Sequence, residues 1–170
     1  MLDFTKVKAT PFDYGAGHVH PNDAMDPGLV YDTTIDDYLN FLCTRGYSSL
    51  TLKKFSKKPF VCAKNFTTTD FNYPSILVPR LQIGESVTVN RRVKNVGSAG
   101  TYVARVRMPK GITVMVEPSK LQFHSVGEEK PFKLVFHYAH KLRRQGYVFG
   151  ALVWSDGKHF VRSSIAVNLV

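Results

Sequence analysis

From Phe71 onward apolar residues recur at every second position. Val87 and Val89 alternate with Ser86, Thr88 and Asn90, and Tyr102, Ala104, Val106 and Met108 alternate with Thr101, Val103, Arg105 and Arg107. Ile112, Val114 and Val116 form a third such face, Leu121 and Phe123 a short fourth, and Phe132, Leu134, Phe136 and Tyr138 a fifth. A period of two places one set of side chains on one face of a strand, so each run predicts a half-buried β-strand. The run Tyr147 to Trp154 is apolar on both faces, as expected of a strand covered on both sides. Asp156-Gly157 then turns the chain into a last strand ending in Ile165 and Val167. With the run around Tyr73 to Val78, this makes about eight short strands separated by turns, the pattern of a β-sandwich. One position conflicts with the pattern. Arg91 falls on the apolar face of the Val87 strand, which calls for a bulge or a rim position.

Before Phe71 the pattern differs. Residues 1 to about 32 are rich in glycine and proline, which break any regular period. Thr33 or Thr34 can cap a short helix with Ile35, Tyr38, Leu39 and Leu42 on one face, Asp36 and Asp37 in the first turn and Gly46 at its stop. A second helix is predicted from Ser48 to Phe55, capped by Ser48, with Tyr47 and Leu52 spaced as a hydrophobic staple. Both helices have an apolar face but little within the first 65 residues to bury it against, so they read as part of a larger domain.

Charge adds a second asymmetry. The formal net charge is +10. Residues 1 to 78 carry eight Lys and Arg against eight Asp and Glu, whereas residues 79 to 170 carry fifteen against five and hold the whole excess. His124, His137, His140 and His159 lie in that half, so mild acidity would raise its charge further. A polyanion is therefore a reasonable partner. Zinc-finger, helix-turn-helix and ribonucleoprotein motifs are missing, which argues against nucleic acid and leaves an acidic polysaccharide or a merely solvated basic surface. No stretch is long and apolar enough to span a bilayer, and Met1 to Lys8 lacks the apolar middle of a signal peptide.

The string from Pro11 to Asp32, containing Gly15-Ala16-Gly17-His18-Val19-His20-Pro21 and Asp26-Pro27-Gly28-Leu29-Val30-Tyr31-Asp32, resembles the plant subtilases, the subtilisin-like serine proteases related to cucumisin. The resemblance continues through Asn72-Tyr73-Pro74-Ser75, Val93-Lys94-Asn95-Val96-Gly97, Gly111 to Pro118 and Trp154 to His159. It implies that residues 1–70 are the end of a subtilisin-like catalytic domain and residues 71–170 a fibronectin III-like domain. The expected fold is mainly β, a fibronectin III-like sandwich preceded by a turn-rich, partly helical tail. In that family the sandwich packs on the catalytic domain, supports activity and in some members takes part in dimerisation. The chain is accordingly expected to be a C-terminal portion whose partner is the catalytic domain of its parent protease, with an extracellular location.

A subtilase needs an aspartate, a histidine and a serine from separated motifs, together with an oxyanion-stabilising group. The family's Gly-Thr-Ser-Met nucleophile motif is missing, and Gly97-Ser98-Ala99-Gly100 lacks the spacing of a hydrolase elbow and reads as a turn. No residue is assigned a catalytic role, and the chain alone is expected to be inactive. No cofactor site is expected. His18 and His20 with Asp23 and Asp26 lack a third ligand at fixed spacing, so a surface role is favoured over metal binding. The run Lys53, Lys54, Lys57 and Lys58 around Phe55 reads as a solvated helix end. Cys43 and Cys62, the only cysteines, could be bridged or reduced; the secreted character of the family implies a disulfide. Asn65-Phe66-Thr67 is a glycosylation sequon, with Asn65 as acceptor. A second class of function remains open: a basic sandwich that binds an acidic cell-wall polymer or a partner protease.

Overall fold

The computed structural model describes residues 8–56, 58–139 and 145–170. His140 and Lys57, named above among the basic groups, lie outside the described residues. Along the chain, α1 (Pro11–Tyr14), α2 (Pro21–Met25), β1 (Leu29–Val30), α3 (Ile35–Thr44) and α4 (Ser49–Leu52) precede a 3₁₀ turn at Thr68–Asp70. There follow β2 (Ile76–Leu81), β3 (Ser86–Asn95), β4 (Gly100–Arg107), β5 (Ile112–Glu117), β6 (Lys120–Phe123), β7 (Glu129–Tyr138), β8 (Gly146–Ser155) and β9 (Phe160–Leu169).

The strands form the expected sandwich. One sheet has the order β1-β3-β7-β5 and the other β2-β9-β8-β4-β6. Every pairing is antiparallel except β2 with β9, which is parallel. Val89, Val93, Leu134, Phe136 and Val114 face Tyr102, Leu152, Trp154, Ile165 and Val167 across the core, and all ten are at most 3% exposed. At roughly 1.5–3 kcal/mol for each fully buried large apolar side chain, these two inner faces supply the main drive for folding. The Phe132 ring meets Trp154 edge-on at 5.1 Å.

The period-two runs correspond to β3, β4, β5, β6 and β7 in turn. The strand not anticipated is β1: Leu29 and Val30 pair with Asn95 and Lys94, so the turn-rich segment lends a strand to the first sheet. Two residues are too few for a periodicity, and only β3 supplies their hydrogen-bond partners. Strand β8 is covered on its outer face as expected, by α1: Phe12 lies edge-on to Tyr147 at 4.8 Å and to Phe149 at 5.3 Å.

Helix α3 starts at the Thr34 cap, whose hydroxyl accepts from the Asp37 amide while the Asp37 carboxylate accepts from the Thr34 amide. Helix α4 is shorter than the predicted Ser48 to Phe55. Ser48 does cap it, but the Lys54 and Phe55 amides donate to the carbonyls three residues back, so the last turn tightens to 3₁₀ geometry. The Arg91 conflict is resolved in neither of the expected ways. The β3–β7 register runs unbroken through Arg91, which excludes a bulge, and Arg91 is only 6% exposed, which excludes a rim.

Candidate functional site

The buried polar residues of the chain gather along one seam, where the segment ahead of Phe71 meets the sandwich. At one end, the turn after β8 is built by Asp156, whose Oδ1 accepts the amides of Lys158 at 2.9 Å and His159 at 2.6 Å. Its Oδ2 lies 2.8 Å from His159 Nδ1, and the Tyr102 hydroxyl lies 3.4 Å from the same nitrogen. Asp26 closes the cluster from the other segment. Its Oδ2 accepts from Lys158 Nζ at 2.8 Å and lies 3.2 Å from His159 Nε2. The two residues after Asp26 bring the backbone close: Gly28 has φ +73°, and its missing Cβ is what lets Tyr102 and His159 pack against it.

Gly28 also links this cluster to the next. Its carbonyl accepts the amides of Val96 at 2.9 Å and Gly97 at 3.2 Å. Asn95, fully buried, organises the 97–100 turn: its Oδ1 accepts from the Gly97 amide, and its Nδ2 donates to the carbonyls of Gly97, Ser98 and Ser125. Further along, Tyr31 and Ser163 exchange a hydroxyl hydrogen bond at 2.7 Å. Asp32 pairs with Lys94 Nζ at 2.9 Å, and its carbonyl accepts from Asn72 Nδ2. Asn72 in turn accepts the Arg92 amide at 2.9 Å, and the Arg92 guanidinium pairs with Asp37 at the start of α3.

Arg91 reaches the other way, into the linking segment before β2. Its guanidinium donates to the carbonyls of Thr69 at 2.6 Å, Asn90 at 2.7 Å, Tyr73 at 3.1 Å and Ser75 at 3.5 Å. Burial pulls it down to about 10, opposed by the charges of Tyr31 and Asp70, so it remains a cation at neutral pH. Asp70 holds the same segment by accepting from the amide and side chain of Asn90.

The electrostatics of the Asp26–His159–Asp156 cluster give it a pH window. The hydrogen bond to Asp156, then that side's partner Asp26, raises His159 above its ordinary 6.5. Burial alone would lift Asp156, but the His159 amide and ring and the Lys158 amide outweigh it and hold the carboxyl at about 2. Lys158 and then His159 hold Asp26 below 3.8. A raised histidine stabilises fully below 6.5 and loses its contribution as pH climbs through its folded value. Depressed carboxylates stabilise fully above 3.8 and lose theirs as pH falls. The cluster is therefore at full strength between 3.8 and 6.5. Thermal midpoints of the native chain and of His159→Gln, compared across pH, should differ most inside that window and converge at alkaline pH. An equal gap at pH 5 and pH 10 would show that the charge of His159 does not matter.

What this seam can do is hold two segments together. Both ring nitrogens of His159 face carboxylates, so neither is available to take a proton from a nucleophile. Among the described residues no three His, Cys, Asp or Glu side chains gather as metal ligands; His18 and His20 are exposed, while Asp26 is engaged by Lys158 and His159. Cys43 and Cys62 are joined as a disulfide, tying the end of α3 to the segment that follows α4. Asn65 is exposed just beyond it. Of the basic-half histidines, His124 is exposed, His137 shares a hydrogen bond with Ser86 at 3.0 Å, and His159 sits between carboxylates that balance its charge. The pattern of the sequence pointed to Arg91 but not to Asn95, although Val89, Arg91, Val93 and Asn95 share one strand phase. A polar residue in step with valines was the available signal.

Comparison with known proteins bears on these residues. Residues 70–167 match the family model of a fibronectin type-III domain. The chain is 51% identical over 166 residues to subtilisin-like protease SBT5.3 of Arabidopsis thaliana, covering 97% of the chain and 21% of that protein. It is 48% identical over 170 residues to subtilisin-like protease SBT5.4 of the same plant, covering 99% of the chain and 22% of that protein. It is 44% identical over 166 residues to subtilisin-like serine-protease S of Lotus japonicus, covering 96% and 22%. The chain thus spans about a fifth of the length of the curated relatives it matches.

Proposed function

Because the chain belongs to the fibronectin type-III domain family through residues 70–167 and resembles plant subtilisin-like proteases almost end to end, we propose that it is the non-catalytic, accessory region of a secreted subtilisin-like serine endopeptidase. In this reading residues 71–170 are the accessory sandwich, and residues 1–70 are the tail by which a catalytic domain is fastened to it. One observation carries it. The family-like strings of the first segment, Asp26 to Asp32, touch the family-like strings of the sandwich, Val93 to Gly97 and Trp154 to His159, through the contacts of the seam. These contacts, part-buried at Lys94 and His159 and exposed at Lys158, fasten the preceding segment to the sandwich, as a tail joining it to a neighbouring domain requires.

The disulfide supports an oxidising, extracellular compartment. The exposed Asn65 then becomes a glycan acceptor in the secreted protein. The exposed side chains of Ile35, Tyr38 and Leu50 on the helical segment are a surface for the catalytic domain to cover.

The experiment grafts this chain in place of the matching fifth of SBT5.3. The expected result is a secreted, active protease, with activity lost when the matching region is deleted. Full activity of the deleted protein would overturn the accessory role. The chain by itself should leave a fluorophosphonate serine probe unreacted; stoichiometric labelling would mean a nucleophile exists that the motifs do not reveal.

A further inference from the structure

We infer that the outer face of the second sheet is a binding surface for a carboxylated polysaccharide, read along β4 by Arg105 and Arg107. The register fixes the face. Tyr102, Leu152 and Ile165 point into the core, so their neighbours Arg105, Arg107, Val153 and Arg162 point outward, with Arg105, Val153 and Arg162 on one rung. Strands about 4.8 Å apart and residues about 3.4 Å apart put Arg105 roughly 7 Å from Arg107 and roughly 10 Å from Arg162 at the backbone. Lys120, paired with Val103, extends the same face onto β6.

No aspartate or glutamate occupies an outward position of β4, β8 or β9. Among the described residues Arg105 and Arg107 form no ion pair, and Arg162 donates only to the Ala16 carbonyl. Elsewhere on the sandwich Arg92, Lys94, Lys130, Lys133 and Lys158 all have carboxylate partners. Among the described residues this one face thus carries four cations, Arg105, Arg107, Lys120 and Arg162, without a carboxylate partner.

The shape suits a chain and not a single small anion. A hollow of about 340 Å³ beside Arg105 is bordered by Val103, Ser155 and the exposed ring of Phe160. Past Arg107, a groove of about 650 Å³ is lined by Lys8, Lys110, Tyr147 and Phe149. The exposed ring of Phe160 offers flat apolar ground to a pyranose ring, and guanidinium forks match carboxylates bidentately. The disulfide fits an oxidising, extracellular compartment, where polysaccharide is a more abundant polyanion than nucleic acid. The inference does not rest on the accessory role.

The test uses the full chain and polygalacturonate, titrated at pH 6 and low salt. Binding should be lost on methyl-esterification of the polymer, and Arg105→Ser with Arg107→Ser should weaken it about tenfold. Both arginines are exposed, so the variant should keep the native thermal midpoint. Lys53→Gln with Lys54→Gln removes the same charge from the end of α4 and should change affinity less than about twofold. Equal losses in the two double variants would reduce the effect to net charge and overturn the site. Equal affinity for the esterified polymer, or for a single-stranded oligonucleotide of matched charge, would overturn the ligand class.

Discussion

Replacing Arg91 with alanine is expected to destabilise the chain by about 3 kcal/mol or more, since each buried carbonyl left without a donor costs about 1–3 kcal/mol. The guanidinium holds carbonyls from Thr69, Tyr73 and Ser75, and these lose their donor. Lysine should not rescue, because three donors at one point cannot span carbonyls arranged around a planar fork. Methionine fills more of the volume and should fall between alanine and the native residue. Urea unfolding gives the midpoint shift, and limited proteolysis between Thr69 and Ser75 reports the local release. A midpoint within about 0.5 kcal/mol of the native chain would mean the linking segment is held by its apolar contacts alone.

Gly28→Ala should act on the seam and leave the sandwich largely intact. The position has φ +73°, where an L side chain is strained, and the added Cβ would overlap the Tyr102 hydroxyl and lie 2.8 and 2.9 Å from His159 Cγ and Cβ. Strain and overpacking together come to about 3 kcal/mol, more than a two-residue strand can absorb without shifting. The expected result is release of β1 from β3 and rapid cleavage of residues 8–32, while a protected core comprising β2 to β9 remains. If the native cleavage pattern survives with an unchanged thermal midpoint, the close approach of Gly28 to His159 is not what fastens the segment.

These two residues also mark how far the sequence could be read. The alternation of apolar residues in β3 to β7 fixes which face is core, because burying one side of a pleated strand allows a single phase. Arg91 stood out against that alternation, yet its partners are backbone carbonyls, which carry no residue type and leave no trace in a sequence. The same holds for Asn95 and Asn72, whose hydrogen bonds run to peptide groups of Gly97, Ser98, Ser125, Asp32 and Arg92. Gly28 lies in a glycine- and proline-rich run that signals turns, but its contact with a histidine 131 positions later leaves no local signal. The Thr34 cap was legible because both halves of its reciprocal hydrogen bond lie within four residues.

By itself, then, the sequence determined strands β2 to β9, the starts of α3 and α4, the resemblance to plant subtilases and the concentration of basic charge from residue 79 on, since each follows from local period, local capping or composition. Tertiary structure alone decided that Asp26 meets His159, that Asp32 meets Lys94, that Leu29 and Val30 join the first sheet, and that Arg105 and Arg162 share a rung. Those outcomes depend on which strands neighbour one another. Neighbour order in a sandwich comes from closing two sheets over a common core, a condition on the whole chain that no window of residues contains.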